Sequence, residues 1–279
     1  MTGHLALSDA PVVRQNRHLA ELAAVDADEL VSPDSIVLLP IGAMEQHGPH
    51  LPLATDFIVI EEFAEAVLAE YGDKLDLWLL PTLPFSKSTE HAWSAGTMWL
   101  SPETLLATMR DLGRSLSTLS SRRLAILNGH GGNTSLLDVV CRELRLSHGF
   151  RTFLMHASLP ADHGGAGHDD ELGQGIHGGV TETSVVMHLR PDLVHLDRAE
   201  PHVPEWLTTY QHLRFGGGTS FGWSSDDFGP SGVIGDPTLA SAEFGKHLFE
   251  DGVRHLGAVL EEISRFEFGV AFDGDRNDP

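Results

Sequence analysis

The chain is poor in three things: cysteine, basic residues and long apolar runs. Cys141 is its single cysteine, so no disulfide can form within the chain. It sits in an apolar helical run with Leu137, Val140 and Leu144, which predicts a buried structural thiol rather than a nucleophile. Lys and Arg number 18 against 40 Asp and Glu, for a formal net charge of −22. Binding to a nucleic-acid backbone needs clustered Lys and Arg, as does an anionic membrane surface, so neither partner is expected. No apolar run reaches the length of about 18 residues that a membrane helix requires. Met1 to Ala10 has no basic region leading into an apolar core, so no signal peptide is expected. A reducing cytoplasm fits the cysteine content.

What is present suffices for a core, with 41% hydrophobic residues in 279. Neither an internal repeat nor a convincing linker divides the chain. The expectation is a single domain over residues 1–279, with its core at about 30–266 and polar tails. Residues 1–16 read as unstructured and His18 to Val31 as a short helix. Ile36 to Ile41 is apolar on both faces, as a buried strand is. Ile60, Phe63, Ala64, Val67 and Leu68 recur at helical spacing, and Gly72 is the expected stop. Leu77 to Leu80 is the next strand. Ser101-Pro102-Glu103 opens a helix with a cap, a first-turn proline and an acidic residue at the positive dipole end. Leu124 to Leu127, a helix from about Thr134 to Ser147, and Thr152 to His156 continue the alternation. That order argues for an α/β fold with a mainly parallel sheet and helices on both faces. Thr181 to Leu189 and Ser241 to Phe266 read as further helices. Leu159 to Gly179 is a long loop rich in Gly, Asp and His, a candidate lid with His163 and His168. Residues 195–236 are loop-rich, with a flexible point at 216–218.

Chemistry-bearing residues fall where the strands end. Glu45 and His47 follow the first strand, Glu90 and His91 the second, and His130 the third. His177 and Glu182 follow the fourth after the long loop. In a parallel α/β sheet these ends share one edge, where ligands bind. Buried charge at such a place needs pairing or a metal. Glu45, His47, Asp56, His130 and Glu182 suffice for a two-metal site, in which a carboxylate bridges ions about 3.5–4 Å apart. Zinc, manganese and iron all suit these ligands. Each residue also has a plainer reading. Asp56 can cap the following helix, Glu182 can complement a helix dipole, and Asn128 and Asn133 can be turn residues. The Gly129-His130-Gly131-Gly132-Asn133 stretch is not the G-x-G-x-x-G dinucleotide fingerprint.

These residues resemble the creatininase (creatinine amidohydrolase) family. The resemblance rests on Pro40 to Pro52 with Asp56, on Ser88-Thr89-Glu90-His91 with Gly96-Thr97, and on Asn128 to Asn133. His177 to Ser184 and Gly232 to Pro237 with Ala240 to Glu243 follow in the family's order. It covers about residues 30–260. It implies a three-layer α/β/α sandwich, a binuclear metal amidohydrolase and a hexameric assembly. By motif position, Glu45, Asp56 and His130 would hold one divalent ion. His47 and Asp56 would hold the second, and Asp56 would bridge the two. His177 matches the family's catalytic histidine, with Glu90 and His91 as candidates for positioning substrate or moving a proton.

Two departures matter. Creatininase has a glutamate ligand where this chain has Gly132, so Glu182 is the candidate to complete the second site. It also has Trp-Asp-Glu where this chain has Gln174, Gly175 and Ile176. Both argue against creatinine itself as the substrate. The expected reaction is hydrolysis of a C–N amide bond, other than a peptide bond, by a metal-activated water, in a small-molecule substrate that is a cyclic amide, a formamide or a small peptide-like compound. The family also includes formamide deformylases and a peptidase that matures a peptide-derived cofactor, and a non-catalytic metal-binding member is the remaining alternative. A phosphoesterase would need cations near the site, and the motif loops offer only Lys87.

Overall fold

The computed structural model describes residues 17–157, 169–216 and 218–269. The stretches 1–16 and 270–279, together with His163, His168 and Gly217, therefore lie outside the described residues.

Four parallel strands form one sheet: β1 (Ile36–Ile41), β2 (Leu77–Leu79), β3 (Arg123–Asn128) and β4 (Arg151–His156), in the spatial order β2-β1-β3-β4. α1 (Ala24–Leu30) precedes β1, and between the strands run α2 (Thr55–Leu75), α3 (Pro102–Leu116) and α4 (Thr134–His148). After β4 come α5 (Val180–Leu189) and α6 (Ala242–Arg265).

Side-chain alternation along the strands builds two cores, one on each face of the sheet. Ile36 and Leu38 of β1 join Ala125 and Leu127 of β3 on one face, covered by Ile60, Phe63 and Val67 of α2 and by Leu256 and Leu260 of α6. Val37, Leu39 and Ile41 join Leu124 and Ile126 on the other face, covered by Leu105 and Met109 of α3 and by Leu137, Val140 and Leu144 of α4. The result is the expected α/β/α arrangement. Fully burying such side chains contributes roughly 1.5–3 kcal/mol each.

Pro40 occupies a central strand, a place that usually excludes proline. It is accommodated because the β1–β2 ladder ends at the Leu38–Leu79 pair. Beyond it, only the carbonyl of Pro40 is used on that side, accepting from the Leu83 N–H at 3.0 Å.

Ser101 caps α3, accepting from the Thr104 N–H at 3.2 Å, with Pro102 in the first position. Several boundaries differ from the sequence expectation. Gly72 does not end α2. The helix runs to Leu75 and is closed by Asp76 in the left-handed region (φ 47°), whose carboxylate accepts from Trp78 Nε1 at 3.1 Å. The stretch from His18 to Val31 is not one helix. It is a 3₁₀ turn at Leu19–Glu21 followed by α1, and neither buries a residue. Cys141 is partly rather than fully buried, at the edge of the second core.

Candidate metal centre

β1 and β3 end side by side, and Ile41 pairs with Asn128 in their last register position. The segments that leave these ends, together with the start of α2, deliver Glu45, His47, Asp56 and His130 to one place. Glu45 and His47 are each 1% exposed, and Asp56 and His130 are also buried.

Asp56 does not cap α2. The N-cap is Ala54, without a side-chain cap bond, and the Asp56 carboxylate turns inward. Its Oδ1 lies 3.1 Å from His47 Nε2 and its Oδ2 lies 3.1 Å from His130 Nδ1. Glu45 Oε1 is 3.3 Å from His130 Nδ1 and 3.9 Å from His47 Nε2. From the start of α5, Glu182 Oε2 comes within 3.8 Å of His47 Nε2 and also accepts from the Gly178 N–H at 2.5 Å.

Asn128 and Asn133 are more than turn residues. Asn128 brackets His130, donating to its carbonyl at 2.7 Å and accepting from its N–H at 3.2 Å. Asn133 donates to Ser86 Oγ at 3.0 Å and accepts from the Lys87 N–H at 3.1 Å, which ties the third strand's loop to the second's.

The second loop brings Glu90 and His91. Glu90 Oε1 lies 3.3 Å from His130 Nε2, and Oε2 accepts from Lys87 Nζ at 2.5 Å. Gly132 leaves the space that Glu90 fills, since a Cβ there would lie 1.7 Å from Glu90 Oε1. His91 Nε2 faces Glu45 Oε1 at 3.4 Å. His177 follows the long loop and is held by an antiparallel bridge to Ile234. Its ring stacks 4.1 Å from His91 and lies 4.3 Å from His47, and its Nδ1 is 3.8 Å from Glu45 Oε1.

The electrostatics divide the histidines. Burial alone would depress His47, but the carboxylates of Asp56, Glu182 and Glu45 overturn it and lift its pKa to about 10. His130 is raised for the same reason, against burial, by Glu45, Asp56 and Glu90. Burial, with the neighbouring imidazoles, holds His177 well below its ordinary value. His91 is lowered by burial despite Glu45. Burial and the charges of Asp56 and Glu45 push Glu182 up to about 7.

A cluster of this composition suits a cation. Both carboxylate oxygens of Glu45, Nε2 of His47, Oδ2 of Asp56 and Nε2 of His130 are buried without a hydrogen-bond partner. Orphaned polar atoms of this kind are expensive, and a hard or borderline divalent ion satisfies carboxylates and imidazoles together. Among the described residues, three groups have donor atoms close enough together to hold an ion: Glu45, Asp56 and His130; His47, His177 and Glu182; and Glu45, His91 and His177. All eight residues singled out in the sequence therefore converge. Sequence reasoning missed Gln46, buried between two of them, and the aromatic wall of Phe215, Phe221 and Trp223, which lines a cavity of about 960 Å³ over the cluster. The one signal for that wall was the aromatic spacing within the loop-rich 195–236 stretch.

A parallel α/β/α sheet with buried acids and imidazoles at its carboxyl edge is an architecture suited to holding metal ions. The family model for creatininase, described as creatinine amidohydrolase, matches residues 20–260, and the chain belongs to this family of hydrolases. It is 34% identical over 241 residues to the mycofactocin precursor peptide peptidase of Mycobacterium ulcerans (strain Agy99), covering 84% of this chain and 88% of that one. It is 31% identical over 199 residues to the creatinine amidohydrolase of Pseudomonas putida, covering 63% of this chain and 73% of that one. Among solved structures, one described as "Creatininase Mn" superposes with a TM-score of 0.70 at 26% identity, over 90% of this chain and 100% of that one. No helix among the described residues is long and apolar enough to cross a membrane.

Proposed function

We propose that this protein is a binuclear metal-dependent amidohydrolase that cleaves a C–N amide bond with an activated water. The observation that carries this reading is the set of buried, unpartnered acid and imidazole atoms at the ends of β1 and β3. Glu45, Asp56 and His130 would hold one ion, and His47 and Glu182 the other, with Asp56 shared between them. Two ions of zinc, manganese or iron held there would supply Lewis acidity and lower the pKa of a water toward neutral.

The chain's own residues do the rest. Glu90 Oε1 faces the far nitrogen of His130 at 3.3 Å, the place of an outer carboxylate that orients a metal-ligating imidazole. Lys87 in turn holds Glu90. His47 gives its Nδ1–H to the Glu45 carbonyl at 3.2 Å, which leaves Nε2 directed at the cluster. His177 is the proton carrier. Neutral at rest, it takes a proton from the attacking water and returns it to the nitrogen as the C–N bond breaks. His91 orients Glu45 from the opposite side.

The cavity favours a peptide-like substrate over a small cyclic amide. About 960 Å³ is at the upper end of the range of about 300–1,000 Å³ for ligand pockets. The relatives named as peptide peptidases point the same way, toward a peptidase-type maturation step. Metal content and hydrolysis of a panel of small amides and short peptides, measured before and after chelation, test the proposal. Turnover should vanish with the metal and return with added Zn²⁺ or Mn²⁺. Activity that survives complete metal removal would overturn it.

A further inference from the structure

Gln46 lies between two of the proposed ligands in sequence, is 5% exposed, and has no role in the reaction as described. Its hydrogen bonds can be worked out from partners that are able to play only one part. The Gly48 N–H can only donate, and it points at Gln46 Oε1 from 2.8 Å. The orientation of the amide follows. Its NH₂ group then lies 2.8 Å from His91 Nδ1, 3.0 Å from His177 Nε2 and 3.2 Å from Ser225 Oγ. The Gly232 carbonyl oxygen lies further off, at 3.5 Å, and two protons must serve these four neighbours.

His177 Nε2 also lies 2.7 Å from the main-chain oxygen of Gln46, an atom that can only accept. That ring nitrogen therefore carries a proton and takes none from the amide. The two amide protons go to the nearer acceptors, His91 Nδ1 and Ser225 Oγ at 2.8 and 3.2 Å, rather than to the Gly232 carbonyl at 3.5 Å. Ser225 is free to accept, because it receives Trp93 Nε1–H at 2.8 Å and spends its own proton on the Glu90 carbonyl at 3.3 Å. His91 Nδ1 is thus unprotonated, and the proton of that ring is on Nε2, the atom facing Glu45 Oε1 at 3.4 Å.

We propose that Gln46 is a positioning residue that turns a proton of His91 and a lone pair of His177 toward the metal cluster. It acts through the two rings rather than on substrate. The group of Glu45, His91 and His177 then loses His91 as a ligand, because its inward nitrogen is an N–H. The proposed ligands Glu45, His47, Asp56, His130 and Glu182 are untouched by this assignment. His177 Nδ1 is left as the acceptor the proposed reaction needs, and the inference rests on that reading for its functional meaning.

The tautomers are measurable without turnover. Protein labelled with ¹⁵N at histidine, treated with chelator and held at pH 7.5, is examined by long-range ¹H–¹⁵N correlation, with His91→Gln and His177→Gln for assignment. The expected spectrum shows both rings bare at Nδ1 and protonated at Nε2. A proton on His91 Nδ1 in the unsubstituted protein would overturn the proposal. Gln46→Glu offers an acceptor in place of the donor and should move the His91 proton to Nδ1; an unchanged tautomer overturns it too. In metal-loaded protein Gln46→Glu should lower kcat at least 10-fold with KM nearly constant, and a change confined to KM would place Gln46 in substrate binding instead. Should no amide be hydrolysed at all, the proposed reaction fails while the tautomer result stands on its own.

Discussion

Gly132 shows how tightly single residues are fitted around the cluster. A Cβ there would meet Glu90 Oε1 at 1.7 Å and His130 Nε2 at 2.4 Å. Gly132→Ala should therefore displace Glu90, cost about 1–3 kcal/mol as overpacking does, and weaken metal retention through His130. Urea unfolding and metal analysis read the two effects. Unaltered stability in the single variant would show that the carboxylate moves aside freely. Removing a ligand has a different signature. Glu45→Ala or His130→Ala should abolish metal-dependent turnover and lower bound metal while the far-UV spectrum stays native; normal activity in either contradicts the ligand assignment. Cys141 tests the opposite expectation. Burial pushes its thiol up to about 11, so little thiolate exists at pH 7.5. Iodoacetamide should label it slowly in the native protein and readily after unfolding, and equal rates would refute the inert reading. At this scale the sequence showed which residue types could ligate. It could not show that Glu90 backs His130, or that Gln46 joins His91 to His177, because those contacts are set by side-chain directions across three loops.

Between elements, close approaches decide what a substitution costs. α6 crosses α5 at Gly245, where a Cβ would lie 1.8 Å from the Ser184 carbonyl oxygen. α3 meets α4 at Gly113, where the nearest atom is Leu144 Cδ2 at 2.2 Å. A leucine methyl can change rotamer, whereas a helix backbone cannot yield alone. Gly245→Ala should therefore lose more stability than Gly113→Ala in the same urea titration, and the reverse order would show that the α5–α6 pair slides easily. Long elements were legible because their signals are periodic and summed over many residues: the strands, α3 with its Ser-Pro-Glu start, and α6. Boundaries were less so. Gly72 carried a stop signal, but Asp76 provides the actual left-handed close, since its carboxylate is satisfied by Trp78 and by residues distant in sequence. The stretch at 18–31 carried helical spacing without a buried face to fix it, and only its second half is α-helical.

At the scale of the molecule, the strand order β2-β1-β3-β4 was not written in any local pattern, although parallel alternation implied that all strand ends share an edge. That shared edge is what made the cluster foreseeable, and it concentrates acid groups in a chain of net charge −22. Without a cation, protons must stand in. His47, raised to about 10 against 6.5 when unfolded, stabilises the metal-free protein fully below pH 6.5 and loses that contribution as pH rises toward 10. Glu182, raised to about 7, is likewise most stabilising below its unfolded value and loses this as pH passes 7. The histidines lowered by burial have already released their protons above pH 6.5, so they do not offset the loss in this window. A divalent ion takes the place of those protons, and its binding strengthens as they leave. The gap in Tm between metal-loaded and chelator-treated protein should therefore widen steadily from pH 6.5 to 9, chiefly because the metal-free form weakens. Thermal unfolding followed by circular dichroism at several pH values measures it. A gap that stays constant or narrows would mean that the cluster neither holds those protons nor exchanges them for metal.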